Sequence, residues 1–144
     1  MLDVNPQDYD IVLKIKEEND IAVSRQMAKS FAQKNNFSLA DVTKIATAVS
    51  ELARNIYRYA KEGYIYIRKK ETGPDKAVSI EILACDRGPG IEDVELAVVG
   101  GYTTSERSLG LGLSGIRRLM DSFNIKSEVG KGTVVAVEKR RRGF

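Results

Sequence analysis

Thr103-Thr104-Ser105-Glu106-Arg107-Ser108-Leu109-Gly110-Leu111-Gly112-Leu113-Ser114-Gly115 contains a literal G-x-G-x-x-G and runs into apolar helical spacing through Leu113, Ile116, Leu119 and Met120. Such glycines let an anion approach the main chain, and the free N–H groups and positive dipole end of the following helix favour it. A dinucleotide-binding fold also requires a hydrophobic strand immediately before the first glycine. Here that place is taken by a polar segment with no periodicity, so a Rossmann reading fails on context.

The flanks point to hairpins. After a helix over 111–123, residues 125–129 and 133–137 read as strands joined by Gly130-Lys131-Gly132. That turn is no P-loop, because Ile125 stands where the first glycine belongs. Before the polar segment, residues 93–99 suggest a short helix. Upstream of it, 64–71 and 76–85 are rich in Ile, Val and Tyr around a Thr72-Gly73-Pro74-Asp75 turn, which predicts an antiparallel hairpin. Ser38 and Asp41 form an S-x-x-D capping box, with Phe37 placed to staple onto Val42, so a helix starts at Leu39. Its stripe of Leu39, Val42, Ile45, Ala46, Val49, Leu52, Ala53 and Ile56 reaches Ala60, and Gly63 ends it. An earlier helix carries Ile21, Met27, Ala28 and Phe31 up to Asn35-Asn36. Before it, Tyr9, Ile11, Leu13 and Ile15 alternate as a strand does. The order β-α-α-β-β-α-α-β-β predicts a single α+β sandwich spanning 1–144 rather than a doubly wound parallel sheet.

A chain of 144 residues can bury roughly 70% of its unfolded surface, enough for a core without metal or disulfide staples. Cys85 is the one cysteine and there is no histidine. Intramolecular disulfides, Cys/His zinc sites, Ser-His triads and a phosphoryl-accepting histidine are therefore excluded. Beside Asp86 in a buried-looking strand, Cys85 reads as a small apolar filler. The net charge of +3 comes from 23 basic and 20 acidic residues, and Lys139, Arg140, Arg141 and Arg142 stand together at the end. Without those four the body is near neutral, which argues against a nucleic-acid partner. The terminal run itself reads as solvated. The start has no signal-peptide pattern and no stretch approaches the roughly 18 apolar residues of a membrane span, so a cytoplasmic protein with no membrane partner is expected.

Nine of the twelve glycines lie between Gly88 and Gly132, where they interrupt well-formed strand and helix patterns. Asp86-Arg87-Gly88-Pro89-Gly90 follows an apolar strand, placing a carboxylate at a strand end; it can accept from an amino group, or simply form a turn. On the second helix Glu51, Asn55 and Tyr59 recur every four residues beside the apolar stripe. Asn can ligate magnesium through its carbonyl oxygen and Glu can take a proton from a hydroxyl, two separate tasks in phosphoryl transfer. An ordinary polar flank has the same spacing.

Taken together, Glu51-x-x-x-Asn55, Asp86-x-Gly88-x-Gly90, a polar loop, Gly110-x-Gly112-x-x-Gly115 and Gly132-Thr133 resemble the GHKL ATPase and kinase superfamily over nearly the whole chain. The resemblance implies the Bergerat fold: a two-layer sandwich with a mixed, largely antiparallel sheet covered on one face by helices. Carried over by position, it implies that ATP binds with Asp86 at the adenine amino group and Thr133 at the adenine edge. Gly88 and Gly90 would make backbone contacts to the nucleotide, Asn55 would hold Mg2+, and Gly110, Leu111, Gly112 and Gly115 would flank the phosphates. Residues 101–109 correspond to the ATP lid.

Within the superfamily the length, Ser50-Glu51-Leu52-Ala53-Arg54-Asn55 and the Gly-Leu-Gly-Leu-Ser-Gly box are most similar to the bacterial anti-sigma-factor serine kinases of the RsbT-like switch type, which act at the stressosome. That likeness implies Glu51 as general base on a serine or threonine hydroxyl of a STAS-domain partner, and Arg107 as the lid arginine reaching the γ-phosphate. It also implies switching between a STAS scaffold and a downstream effector such as a phosphatase. Related kinases often carry His where this chain has Tyr59. Two other readings are an ATP-gated binding module that sequesters or activates a partner, and a detached histidine-kinase catalytic domain, which would lack both its histidine and its dimerisation helices.

Overall fold

The computed structural model describes residues 4–94, 98 and 112–142. After a 3-10 turn at Pro6–Asp8, the elements are β1 (Ile11–Ile15), α1 (Asn19–Lys34), α2 (Leu39–Asn55), a π-helical turn (Ile56–Ala60), β2 (Gly63–Thr72) and β3 (Ala77–Asp86). Then come α3 (Gly112–Leu119), β4 (Ser122–Glu128) and β5 (Gly132–Arg140). The strands form one sheet in the order β1-β2-β3-β5-β4, antiparallel at every described pairing. This is the α+β sandwich expected, with its largely antiparallel sheet.

Strand alternation decides which side chains meet the helices. Two cross-strand rows on one face are apolar. Ile11, Ile67, Ile82, Val137 and Phe123 form one row, and Leu13, Ile65, Ala84, Val135 and Ile125 the next. Both belong to the core, together with Val42, Ile45, Val49, Leu52 and Ile56 of the α2 stripe. Burying each of the larger side chains contributes about 1.5–3 kcal/mol. The third row is Ile15, Gly63, Asp86, Thr133 and Ser127. On the same face and one step along, the sheet changes from apolar to polar.

Helix α2 starts where the capping signal places it. Ser38 Oγ accepts the Asp41 N–H at 3.2 Å, and Phe37 and Val42 are both buried. Its last turn departs from the expected regular helix to Ala60, widening to π geometry from Ile56. Helix α3 ends at Leu119 rather than at 123, and β4 begins at Ser122 rather than at 125. Phe123 is therefore a strand residue paired with Val137. The expected short helix over 93–99 falls largely outside the described residues, although Val98 is buried in the core.

The basic terminal run is not the solvated tail expected. Its first two residues belong to β5, and Lys139 is only 4% exposed on the helix-covered face. Lys139 Nζ donates to the Leu119 carbonyl at 2.9 Å and lies 3.8 Å from Asp41 Oδ1 and 3.7 Å from Asp121 Oδ1. One cation thus ties the start of α2, the end of α3 and the entry to β4 onto β5. Arg141 donates to the Asn35 carbonyl at 3.0 Å, and Arg142 pairs with Asp121. Burial pushes the Asp121 carboxyl up, but the Arg140 N–H and the charges of Lys139, Arg142 and Arg140 together hold it below its ordinary value.

Candidate functional site

Where the sheet face turns polar, a cavity of about 410 Å³ opens between the sheet and the helices, within the usual size of a small-molecule site. Its walls are apolar on three sides, from Leu52 and Ile56, from Ala84 and Val135, and from Leu113. Polar groups enter at a few points: Asn55, Tyr59, Asp86, Glu92 and Thr133. A mostly apolar cavity with a few hydrogen-bonding groups suits a heteroaromatic ring.

Asp86 forms part of the wall. It is half-buried at the end of β3, accepts the Gly88 N–H at 2.8 Å and also accepts the Thr133 N–H. Burial raises its pKa, an effect the two N–H groups only partly offset. A carboxylate short of solvation is a strong acceptor for an amino group that enters the cavity. The D-x-G turn is formed, and Asp86 also lines the cavity.

The glycines of this segment serve packing within the protein. At Gly88 a Cβ would stand 2.6 Å from the Ala60 Cβ, so the loop rests on the end of the π turn. Gly90 has φ +79°, and a Cβ there would lie 2.3 Å from the Glu128 carbonyl oxygen. The Gly130 N–H also donates to the Pro89 carbonyl at 2.8 Å. The loop after Asp86 is thereby locked onto the β4–β5 turn.

On α2, Asn55 Oδ1 is buried and has no hydrogen-bond partner among the described residues. An orphaned carbonyl oxygen costs free energy unless something else uses it, and a hard cation does. Among the described residues no cluster of three or more His, Cys, Asp or Glu could hold a metal. A single amide ligand fits magnesium, which keeps waters and takes its other oxygens from phosphates. Glu51, one turn earlier, is 8% exposed and ion-paired with Arg54. It lies outside the cavity wall, whereas Tyr59 is part of it.

Of the remaining sequence candidates, Gly112 opens α3 with φ +68° and Gly115 is buried within that helix. Gly110, Leu111 and Arg107 lie outside the described residues. Cys85 is half-buried, and burial together with the Asp86 charge pushes its thiol up to about 11, so the filler reading stands. Sequence pattern does not distinguish the apolar residues that line the cavity, among them Leu52, Ala84, Leu113 and Val135, from those that only fill the core.

The chain belongs to the histidine kinase-like ATPase domain family, which matches residues 16–139. It is 41% identical over 127 residues to the serine/threonine-protein kinase RsbT of Bacillus subtilis (strain 168), covering 88% of this chain and 93% of that one. It is 34% identical over 129 residues to the anti-sigma F factor of Caldanaerobacter subterraneus subsp. tengcongensis, covering 86% and 87%. Among solved structures it resembles the RsbU and RsbW domains of Rv1364c from Mycobacterium tuberculosis, with a TM-score of 0.58 and 17% identity. That match spans 92% of this chain and about a third of the other, at 33%, and supports the fold.

Proposed function

We propose that this chain is an ATP-dependent protein serine/threonine kinase that phosphorylates STAS-domain regulatory proteins in a bacterial partner-switching stress response. One observation carries the reading. One cavity is lined both by a desolvated carboxylate, that of Asp86, and by Asn55 with its orphaned amide oxygen, one helical turn from the buried Glu51. The 41% identical relative is named a serine/threonine-protein kinase.

In this reading Asp86 accepts from the adenine amino group, and Thr133 meets the adjacent edge. Asn55 Oδ1 is the protein's ligand to Mg2+, which when bound supplies charge neutralisation to the phosphates. Glu51 takes the proton of the partner's serine or threonine hydroxyl as that oxygen attacks the γ-phosphorus and ADP leaves. Arg107 keeps the role the family likeness gives it, at the γ-phosphate, and Gly110, Leu111, Gly112 and Gly115 flank the phosphates. The substrate and scaffold are STAS-domain proteins, the effector released is a phosphatase or similar enzyme, and the setting is the cytoplasm. The one domain spans 1–144. Among the described residues no helix is long and apolar enough to cross a membrane.

The anti-sigma F factor relative favours a second reading, an ATP-gated module that sequesters or activates its partner. One variant separates the two. Glu51→Gln keeps the side-chain shape but cannot take a proton, so phosphorylation of a STAS protein falls by about 10²–10⁴ while ATP affinity stays within about threefold of wild type. Measured with labelled ATP, wild-type transfer in the variant removes Glu51 as base. A wild-type protein that binds Mg-ATP and partner yet transfers nothing makes the binding module the better description.

A further inference from the structure

Glu51 and Asn55 stand one turn apart on α2, yet of the two only Asn55 is part of the described cavity wall. The backbone that carries Glu51 is held firmly. Leu52 and Ala53 are 1% and 0% exposed, and α2 keeps regular α geometry through Asn55, widening only from Ile56. Only the rotatable bonds of the Glu51 side chain are then left to decide where its carboxylate stands.

Arg54 acts on those bonds. At i and i+3 the two side chains are neighbours on one helix face, and Arg54 Nη1 donates to Glu51 Oε2. Their surroundings differ: the Glu51 side chain is 10% exposed and that of Arg54 31%, so the pair runs from a nearly dry carboxylate to a guanidinium at the surface. A carboxylate so far out of water needs a compensating charge. A guanidinium supplies one that does not titrate, and its rigid fork of N–H groups fixes direction as well as charge. Arg54 is itself outside the described cavity wall, so it reaches the chemistry through Glu51.

We propose that Arg54 is a positioning residue for the base, anchoring one carboxylate oxygen of Glu51 so that the group is held ready for the partner's hydroxyl; this rests on the reading of Glu51 as general base. The proton passes from the serine or threonine hydroxyl to Glu51 as that oxygen bonds to the γ-phosphorus and the bond to ADP breaks. Arg54 neither gives nor takes a proton. A base has to come within about 2.6–3.2 Å of the hydroxyl it serves, and a misplacement of about 1 Å costs on the order of 10²-fold in rate.

The test is steady-state phosphorylation of a STAS-domain protein that the wild-type chain phosphorylates, by Arg54→Met, Arg54→Lys, Glu51→Gln and the double variant Arg54→Met/Glu51→Gln of the full chain, with the Kd for Mg-ATP measured on each. Arg54→Met lowers kcat about 10- to 100-fold and leaves the Kd for Mg-ATP and the KM for the partner within about threefold of wild type. Arg54→Lys recovers part of the loss. In the Glu51→Gln background Arg54→Met has little further effect, because the group it positions no longer takes a proton. If Arg54→Met does not fold, Arg54→Gln, which keeps an N–H donor without the charge, is read by the same criteria. A kcat within about twofold of wild type overturns the proposal. So does a raised KM for the partner at unchanged kcat, which makes Arg54 a docking contact, or a parallel fall of kcat and ATP affinity, which makes it structural. Additive losses in the double variant overturn it too. Wild-type transfer by Glu51→Gln removes the base itself and this proposal with it, whereas a slow Glu51→Gln beside a fast Arg54→Met removes this proposal alone.

Discussion

Asp86→Asn separates binding from folding, because the structure gives the two effects opposite signs. The aspartate accepts the Gly88 N–H at 2.8 Å and the Thr133 N–H while facing the cavity. In asparagine one oxygen remains for those N–H groups and the other position becomes NH2, which faces the adenine amino group as donor against donor. Losing a hydrogen bond to a charged acceptor costs about 1.5–3 kcal/mol, so the Kd for Mg-ATP rises about 10- to 150-fold. Folding responds differently. Burial raises the Asp86 pKa, so its native state holds the proton more tightly than the unfolded chain does. That contribution to stability is full below the unfolded pKa near 3.8, and is lost as pH rises through the higher native value. At pH 7.5 the wild type carries the whole cost of a desolvated charge, which the amide avoids. The nucleotide-free variant should therefore melt no lower than wild type at pH 7.5, and its advantage should shrink toward pH 4. Titration calorimetry and scanning calorimetry at the two pH values read both effects. An ATP affinity within twofold of wild type in a folded variant would refute the acceptor role, and a lower Tm at pH 7.5 would refute the desolvation argument.

Gly90→Ala drives a Cβ toward the Glu128 carbonyl at a backbone φ of +79°. It should cost about 1–3 kcal/mol in denaturant unfolding, and an unchanged midpoint would show that the β4–β5 turn yields freely. Lys139→Met leaves Asp41 and Asp121 without their shared buried cation and should cost about 3–5 kcal/mol. The depressed Asp121 pKa stabilises above the unfolded value and is lost as pH falls through the native one; the variant should show a shallower acid-unfolding slope. Asn55→Ala removes the orphaned oxygen, so Mg-ATP affinity should fall while magnesium-free nucleotide binds nearly as in wild type. Equal loss with and without magnesium would remove Asn55 as a ligand.

The sheet and α2 could be read from the sequence because each buries one face, and burial imposes its period on the residues. In β2 and β3 the alternation fixes the buried face, and the register sets Ile67 against Ile82 and Ile65 against Ala84. Boundaries were harder where tertiary contacts override the local pattern. Met120 and Phe123 continue a helical spacing, yet Lys139 takes the Leu119 carbonyl and the chain turns into β4. Lys139 looked solvated because a lysine's charge is visible in sequence, whereas the two carboxylates that neutralise it come from positions 98 and 18 residues away. At the site, Asp86, Asn55 and Thr133 were found through their glycine and carboxylate neighbours and do line one cavity. Gly88 and Gly90 were found for a different reason from the packing they show.

The third row of the sheet has the same spacing and faces the same helices as the two apolar rows before it. In the proposed reading a purine ring lies on Asp86 and Thr133, near Leu52 and Leu113, and takes the place that a large side chain has in the neighbouring rows. The ligand then works as a removable piece of the protein's interior, supplied by the cell's nucleotide pool rather than by the gene. Mass action sets how much it contributes: at a hundred times its Kd, about 2.7 kcal/mol of added stability, a sizeable fraction of what holds a domain of this size together. A falling ATP supply would loosen the fold itself, so the kinase's lifetime, and not its turnover alone, would track the energy state of the cell.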